Sequence, residues 1–236
     1  MYKQLSFTNL SPHQDIPPFY WGDNVALHHH LETLRQTTND EKFIYIWGPK
    51  HYGKTHLLQH LLAQYQEHLS SIYLPLEMAS HITTECLENL EYQDMVLIDD
   101  LQLIAQNKIW EEEIFHLFNR IRDKKNTLLI IAADAPPAQI GIKLPDLISR
   151  LQWGVCYQIK EPNDELKLKI LIERAKDEGF DLPPAVAQYL LSHYARDLSS
   201  LMNILQYLDV GSLEAQRQII SIPFVKKCIK ELKANS

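Results

Sequence analysis

Residues 43–55 read FIYIWGPKHYGKT, a short apolar run followed by a glycine-bearing loop that ends in Lys-Thr. The run from Phe43 to Trp47 consists of β-branched and aromatic residues, which are typical of a buried strand. The segment from Gly48 to Thr55 matches G-x-x-x-x-G-K-[ST] at every fixed position. A helix should follow, because apolar side chains recur at helical spacing after the loop: Leu57, Leu58, Leu61, Leu62 and Tyr65. This order of strand, loop and helix is typical of a phosphate-binding unit.

The composition of the loop indicates how it would hold a polyphosphate. Its glycines let the backbone curl, so that successive N–H groups face the phosphates at the positive end of the following helix. Lys54 is expected to reach the β- and γ-phosphates, and the Thr55 hydroxyl to ligate Mg²⁺. A chance match in a strand-to-helix turn is the alternative, and the flanking strand and helix argue against it. The predicted nucleotide-binding residues of the loop are Gly48, Pro49, Lys50, His51, Tyr52, Gly53, Lys54, Thr55 and His56.

A second candidate strand ends in two carboxylates. Residues 95–100 read MVLIDD, and such a strand would deliver Asp99 and Asp100 to the carboxyl edge of an α/β sheet, where ligands bind. We expect Asp99 to hold Mg²⁺ together with Thr55. Asp100 is then the candidate general base that activates a water for attack on the γ-phosphate. Without the phosphate loop upstream, the same pattern would indicate no more than a solvated strand end.

Apolar runs alternate with helical patterns as far as residue 160. Further strands are predicted at residues 71–76, 128–132 and 155–159, and helices at residues 83–90 and around 114–121. Because the strands are apolar on both faces, we expect a parallel sheet that is covered on both sides.

After Lys160 the pattern changes to one that predicts helices alone. Pro162, Asn163 and Asp164 form a helix breaker and cap at the start of this region. The expected organisation is an N-terminal segment at residues 1–18, a nucleotide-binding α/β domain at residues 19–160 and a small helical domain at residues 161–236.

Composition limits the function classes. No apolar run approaches the roughly 18 to 20 residues of a membrane span, and the N-terminus lacks the features of a secretory signal. The three cysteines are widely separated, which argues against a disulfide framework. We therefore expect a cytoplasmic protein without a membrane partner. The formal net charge of -7 argues against direct, sequence-specific DNA binding, since neutralisation of phosphates supplies most non-specific affinity.

Four further stretches carry a resemblance to a known family. They read FYWGDN at residues 19–24, LPDLISRLQWG at 144–154, ARDL at 195–198 and IPFV at 222–225. Together with the loop and the acidic strand, they resemble the DnaA initiator family of AAA+ ATPases across nearly the whole chain, and most closely its short regulatory members. The resemblance implies an α/β fold of the AAA+ P-loop type, in which a parallel five-stranded sheet carries a small all-helical lid domain.

The resemblance also implies residue roles that spacing alone would not assign. Trp21, Asp23 and Asn24 would contact the nucleotide, which would be ADP or ATP with Mg²⁺. Asp134 would be the first sensor and Arg196 the second, and both would lie near the nucleotide. Arg150 would be an arginine finger that acts in trans on the phosphate of a neighbour. Ala135 departs from the family, which usually has arginine after the first sensor.

The N-terminal sequence Gln4-Leu5-Ser6-Phe7 resembles the peptide by which many proteins dock on the DNA polymerase sliding clamp. Leu5 and Phe7 could fill a preformed apolar pocket while Gln4 fixes the orientation by hydrogen bonds. Thr8 and Asn9 replace the apolar and proline residues of the usual motif. Because the sequence ends at Ser236, soon after the predicted lid, we do not expect the helix-turn-helix DNA-binding domain that initiators carry.

These inferences predict a regulator of chromosomal replication initiation. It would bind the sliding clamp near the nucleoid and stimulate hydrolysis of the ATP bound to the DnaA initiator, which leaves inactive ADP-initiator. One alternative is an autonomous AAA+ ATPase, such as a helicase loader, that uses Lys54, Asp99 and Asp100 in its own cycle. The other is a nucleotide-gated scaffold. The sequence leaves open whether the chain forms a homodimer and whether it hydrolyses ATP itself.

Overall fold

The computed structural model describes residues 16–33, 42–194, 196–214 and 218–234. Their contacts divide the chain into two compact units, of which the first ends at Ile159 and the second begins at Lys160. Loop residues 51–53 group with the second unit. Most of the predicted N-terminal segment, residues 1–18, lies outside the described residues.

The described part of the first unit contains a parallel five-stranded sheet, which confirms the predicted fold class. Its strand order is β2-β3-β4-β1-β5, so that the strand before the phosphate loop lies between its neighbours rather than at an edge. The strands are β1 (Phe43–Trp47), β2 (Ser71–Pro75), β3 (Met95–Asp99), β4 (Leu128–Ala133) and β5 (Val155–Gln158). Because all the pairings are parallel, the carboxyl ends of the strands meet at one edge of the sheet.

Helices cover both faces of this sheet. The helices of the unit are α1 (Val25–Thr33), α2 (Lys54–Tyr65), α3 (Lys108–Lys124) and α4 (Pro145–Trp153). Val96 and Ile98 of β3 belong to one apolar cluster with Leu117 of α3. Leu97 is equally buried but alternates with them, so it points to the other face, where α2 contacts β2, β3 and β4.

The predicted helix at residues 83–90 is wrong. The segment instead forms two short 3₁₀ helices, Thr84–Leu87 and Leu90–Tyr92, separated at Asn89, which has a left-handed φ of 64°. Threonine, cysteine and asparagine are weak helix formers, and two turns of such residues do not sustain an α-helix. Two other 3₁₀ helices lie at Leu76–Met78 and Leu101–Ile104.

The second unit is helical in its described residues, as its apolar spacing predicts. It consists of α5 (Asp164–Asp177), α6 (Pro184–His193), α7 (Leu198–Glu214) and α8 (Ile222–Ala234). The predicted cap is confirmed at Asn163, whose side chain accepts a hydrogen bond from Leu166 N at 2.9 Å. The unit has an apolar core of its own, which includes Leu171, Leu190 and Leu201. No helix among the described residues of either unit is both long enough and apolar enough to span a membrane.

Candidate functional site

Neighbouring residues leave little space at the start of the phosphate loop, where the chain leaves β1. Gly48 N donates to Ala133 O at 3.2 Å, which ties the start of the loop to the end of β4. A Cβ at Gly48 would lie 2.6 Å from Ile159 Cγ2, so glycine is needed where the loop begins. His51 and Gly53 then adopt left-handed φ angles of 69° and 88°. These angles curl the backbone before α2 begins at Lys54, as a phosphate cradle requires.

Lys54 occupies the interior of this loop. It is buried, and its Nζ donates to the carbonyl oxygens of Gly48 at 2.7 Å and Pro49 at 2.9 Å. Burial lowers the pKa of the ammonium group, an effect opposed by the charges of Asp100, Asp99 and Asp134. The cation therefore lies between the loop and the acidic edge of the sheet, where it can exchange a carbonyl oxygen for a phosphate oxygen.

Asp99 is the buried carboxylate of the acidic strand end. Its Oδ2 accepts a hydrogen bond from the Tyr73 hydroxyl at 2.9 Å, and its Oδ1 accepts one from Asp100 N at 3.0 Å. Burial raises the pKa of Asp99, and a hydrogen bond from Thr55 is the largest opposing influence. The structure thus brings the two predicted magnesium ligands, Thr55 and Asp99, within hydrogen-bonding distance of each other.

The donors at this position fit a magnesium ion. A threonine hydroxyl and a carboxylate supply the oxygen ligands that Mg²⁺ prefers, with substrate phosphates and waters completing its shell. A buried, ionised carboxylate is costly without a cation, and Asp99 is only 1% exposed. Thr55 and Asp99 are therefore the residues that would hold the ion.

Asp100 is held by a side chain that sequence reasoning missed. Its backbone is left-handed, with φ 56° and ψ 47°, and its Oδ1 accepts from Gln102 Nε2 at 2.8 Å. The Oε1 of Gln102 in turn accepts from Asp134 N at 3.1 Å. Gln102 therefore links the predicted general base to the predicted first sensor, across the ends of two adjacent strands.

The N-terminal box packs near the start of α2. Trp21 stacks on His28 with ring centroids 4.3 Å apart, and Phe19 meets Trp21 edge-on at 5.0 Å. The Phe19 ring also lies 6.0 Å from the His56 ring. Asn24 is buried, and its backbone N–H donates to Trp21 O at 2.8 Å.

Asp23, the third predicted nucleotide-contacting residue of this box, is exposed. The backbone bond of Asn24 shapes the turn that precedes α1, and the Phe19 contact fixes the box beside the residue that follows Thr55. The box therefore lies close to the helix start that follows the phosphate loop.

Arg150 lies beside the amino-terminal end of β1, where it lines a small cavity together with Phe43 and Ile44. It belongs to α4, whose following residue, Gly154, packs so closely on Phe43 that a Cβ would lie 2.3 Å from Phe43 O. Phe43 begins β1 and the phosphate loop follows its end, about 17 Å away at roughly 3.3 Å per residue. The Arg150 guanidinium lies over the ring of Trp153, with its Cζ 5.2 Å from the centroid. Arg150 is therefore not brought to the phosphate loop of its own chain.

Arg196 is found in the second unit with an exposed side chain. Its guanidinium lies 3.8 Å from Asp164 Oδ2, and its backbone oxygen accepts a hydrogen bond from the buried Lys167. Lys167 also pairs with Glu161, so a buried ammonium group fixes the turn before α7. The clamp-like residues Gln4, Leu5, Ser6 and Phe7 lie outside the described residues.

These features define the class of protein as a P-loop ATPase domain of the AAA+ type. The decisive ones are the strand order, the phosphate loop after β1, the acidic pair at the end of β3 and the helical second unit. The family model described as the bacterial DnaA ATPase domain matches residues 20–158. A second, described as the Hda lid domain, matches residues 164–229. The chain therefore belongs to the bacterial DnaA ATPase-domain family and carries a lid of the Hda type.

Individual relatives agree with this assignment. An uncharacterized protein of Haemophilus influenzae is 45% identical over 214 residues, which cover 89% of this chain and 91% of that protein. Among solved structures, domain III of Thermotoga maritima DnaA superposes with a TM-score of 0.76 at 23% identity, covering 92% of this chain and 95% of the other. AMPPCP-bound DnaA from Aquifex aeolicus gives a TM-score of 0.67 at 23% identity, covering 84% and 65%. These two structures support the fold.

Proposed function

We propose that this protein regulates the initiation of chromosomal replication by presenting Arg150 to ATP that is bound by the DnaA initiator. Membership of the DnaA family with an Hda-type lid supports a role in replication initiation. The position of Arg150 supports the finer proposal: it lies beside Phe43 and Ile44 at the amino-terminal end of β1, whereas the phosphate loop follows the carboxyl end of that strand. An arginine placed there is suited to a triphosphate held by another molecule.

The proposed chemistry is phosphoryl transfer in trans. The guanidinium would stabilise negative charge that develops as the initiator's γ-phosphate is transferred to water, and the initiator would be left with ADP. An arginine supplied in this way is worth about 10³ to 10⁵ in rate in other phosphate-transferring systems. Trp153, which is 61% exposed, keeps the guanidinium over an aromatic face until a partner arrives.

The chain's own loop is proposed to bind ADP or ATP. The amides of the loop and Lys54 would contact the phosphates, and Thr55 and Asp99 would hold the magnesium ion, which supplies charge neutralisation when bound. Trp21, Asp23 and Asn24 would contact the nucleotide from the N-terminal box, and Asp134 and Arg196 would act as the sensors. The AMPPCP-bound DnaA of similar fold is consistent with a nucleotide in this place.

Docking on the sliding clamp is proposed for residues Gln4 to Phe7. A clamp that tethers both the chain and the initiator to DNA would raise the local concentration of Arg150 near the initiator. The proposed site of action is the cytoplasm, at the replisome.

The decisive experiment measures conversion of labelled ATP to ADP on the initiator, in the presence of clamp-loaded DNA and this chain. We expect Arg150→Ala to lose at least about 100-fold of the stimulation while its ADP affinity, measured by calorimetry, stays at the parent value. Arg122→Ala is the matched control, because Arg122 is a surface arginine that pairs with the adjacent Asp123. Stimulation by Arg150→Ala at the parent rate would reject the proposal.

Two further variants test the other contacts. Lys54→Ala should weaken ADP binding by at least about tenfold, whereas the exposed Lys108→Ala should leave it unchanged. Replacing Gln4, Leu5 and Phe7 together by alanine should abolish clamp binding without affecting ADP affinity. Unchanged clamp binding in that variant would remove the docking proposal.

A second candidate function is an autonomous ATPase, which the grouping of Lys54, Asp99 and Asp100 at one sheet edge favours. In a homodimer, Arg150 of one copy would meet the phosphate loop of the other. This candidate predicts hydrolysis without the initiator that rises with chain concentration and is lost in both Asp100→Asn and Arg150→Ala. The regulator predicts that the initiator is required.

A further inference from the structure

Glu111 is a buried carboxylate that the predicted nucleotide site does not use. It lies on α3, is 2% exposed and neighbours apolar residues of the sheet core. Its oxygens accept hydrogen bonds from three backbone amides. Gln106 N lies 2.7 Å from Oε1, Lys143 N lies 3.1 and 3.0 Å from the two oxygens, and Leu144 N lies 2.8 Å from Oε2. Burial of a carboxylate costs desolvation free energy, and the three charge-assisted hydrogen bonds offset that cost.

The three amides come from two segments with separate roles. Gln106 has a left-handed φ of 69° and follows the 3₁₀ helix Leu101–Ile104, which begins directly after Asp100. Leu144 is the N-cap residue of α4, and its own side chain provides no capping hydrogen bond. Glu111 thus supplies a negative charge at the N-terminus of the helix that carries Arg150.

Apolar packing alone would leave one motion of α4 weakly restrained. Leu147 and Leu151 bury its inner face, but apolar contacts are not directional and tolerate small shifts along the helix axis. Hydrogen bonds from two consecutive amides to one carboxylate are directional and set the axial position of the helix. A displacement of about 1 Å at a reacting group can cost on the order of 10²-fold in rate.

We propose that Glu111 is a positioning residue: it fixes α4, and with it Arg150, to the loop that follows the acidic strand end. The functional consequence rests on the proposed action of Arg150, whereas the restraint on α4 is a property of this chain alone. Its hydrogen bonds go to backbone amides, so it acts on Arg150 through the backbone of Lys143 and Leu144.

The first test needs no partner. Glu111→Gln keeps the side-chain shape but removes the charge and turns an amide group towards backbone donors. Amide hydrogen exchange in residues 143–151 and at Gln106 should become about 10- to 100-fold faster, while exchange in β1 and β3 stays unchanged. Glu112→Gln is the matched control, because Glu112 is the next residue of α3 and pairs at the surface with Lys108.

The second test reads the consequence for Arg150. In the initiator assay, Glu111→Gln should lower stimulated hydrolysis by about tenfold or more with ADP affinity unchanged. Glu111→Gln should have no further effect in an Arg150→Ala background, because the side chain that Glu111 positions is then absent. If Glu111→Gln does not fold, Glu111→Asp should show the same local exchange pattern at smaller amplitude.

Two results would overturn the inference. Exchange in residues 143–151 at the parent rate would show that α4 does not depend on the carboxylate. Faster exchange spread equally over β1, β3 and α4 would show a contribution to general stability only. If the exchange pattern is as expected but the parent chain stimulates no hydrolysis, the restraint on α4 stands and the proposed function fails.

Discussion

Asp99 connects the chemistry of the site to the pH dependence of stability. Burial raises the pKa of its carboxyl group above the ordinary aspartate value of about 3.9. The ordinary value applies to the unfolded chain and the raised value to the folded protein. Between the two, the folded protein binds more protons than the unfolded chain, so the free energy of unfolding falls as the pH rises. We predict that Asp99→Asn removes this fall and makes the nucleotide-free protein more stable than the parent at neutral pH.

Urea unfolding over a pH series measures this effect, and a rise of one in pKa corresponds to about 1.4 kcal/mol. Asp94→Asn provides a control of opposite sign, because hydrogen bonds from Ser70 lower the pKa of Asp94. The contribution of Asp94 is present above its unfolded pKa and is lost as the pH falls. Parallel parent and Asp99→Asn curves would contradict the prediction.

The residues that could be predicted from sequence lie in contiguous motifs. The loop from Gly48 to Thr55 and the pair Asp99 and Asp100 carry their chemistry in a fixed local order, so their types and spacing are sufficient. Arg150 and Arg196 required a family resemblance, since most arginines are surface residues of small energetic consequence.

The supporting side chains could not be predicted, because each meets a partner far along the chain. Tyr73 and Asp99 are 26 residues apart, Gln102 and Asp134 are 32 apart, and Glu111 and Leu144 are 33 apart. No periodicity in a single sequence records such pairs. A glutamate on the apolar side of α3 was nevertheless a signal that could have been used, because buried carboxylates need hydrogen-bond donors.

Among the elements, strands were predicted more accurately than short helices. An apolar run of five residues with turn residues on both sides has few alternatives to a buried strand, and β1 and β3 begin and end as expected. Residues 83–92 have no such run, and their 3₁₀ turns depend on contacts with other elements, including α3. Arg120 on α3, for example, donates to Leu87 O at 2.8 Å.

The close approach of α4 to β1 leads to a prediction about Gly154. A Cβ there would lie 2.3 Å from Phe43 O and 2.8 Å from Phe43 Cβ, so the backbone itself must move. We expect Gly154→Ala to lower the free energy of unfolding by about 2 to 3 kcal/mol, as overpacking does in other cores. Chemical denaturation of purified protein measures the loss.

Gly179→Ala separates this clash from the general effect of replacing glycine. Gly179 has a positive φ of 94° with no atom within 4 Å of an added Cβ, so its substitution should cost only about 1 to 2 kcal/mol of backbone strain. Equal losses in the two variants would show that the predicted clash with Phe43 adds nothing to the general cost of replacing a glycine.

Each of the two units buries a core of its own. In the first, the apolar cluster joins β-strand residues to Leu117 and Phe118 of α3, and in the second it joins α5, α6, α7 and α8. The two clusters share no residue. Since burial of apolar area is the main favourable contribution to folding, each unit should have a local stability that depends on its own side chains.

Paired cavity substitutions test this independence. Leu117 and Leu201 are both 0% exposed, and changing either to alanine should cost about 2 to 5 kcal/mol. We predict that Leu117→Ala raises native-state amide exchange in β1, β3 and β4 but not in α5 to α8, and that Leu201→Ala does the reverse. Both substitutions are leucine to alanine, so the two variants should differ only in which unit shows faster exchange. A uniform rise across both units after either substitution would show that they unfold as one cooperative body, because a shared transition exposes every amide at the same free energy.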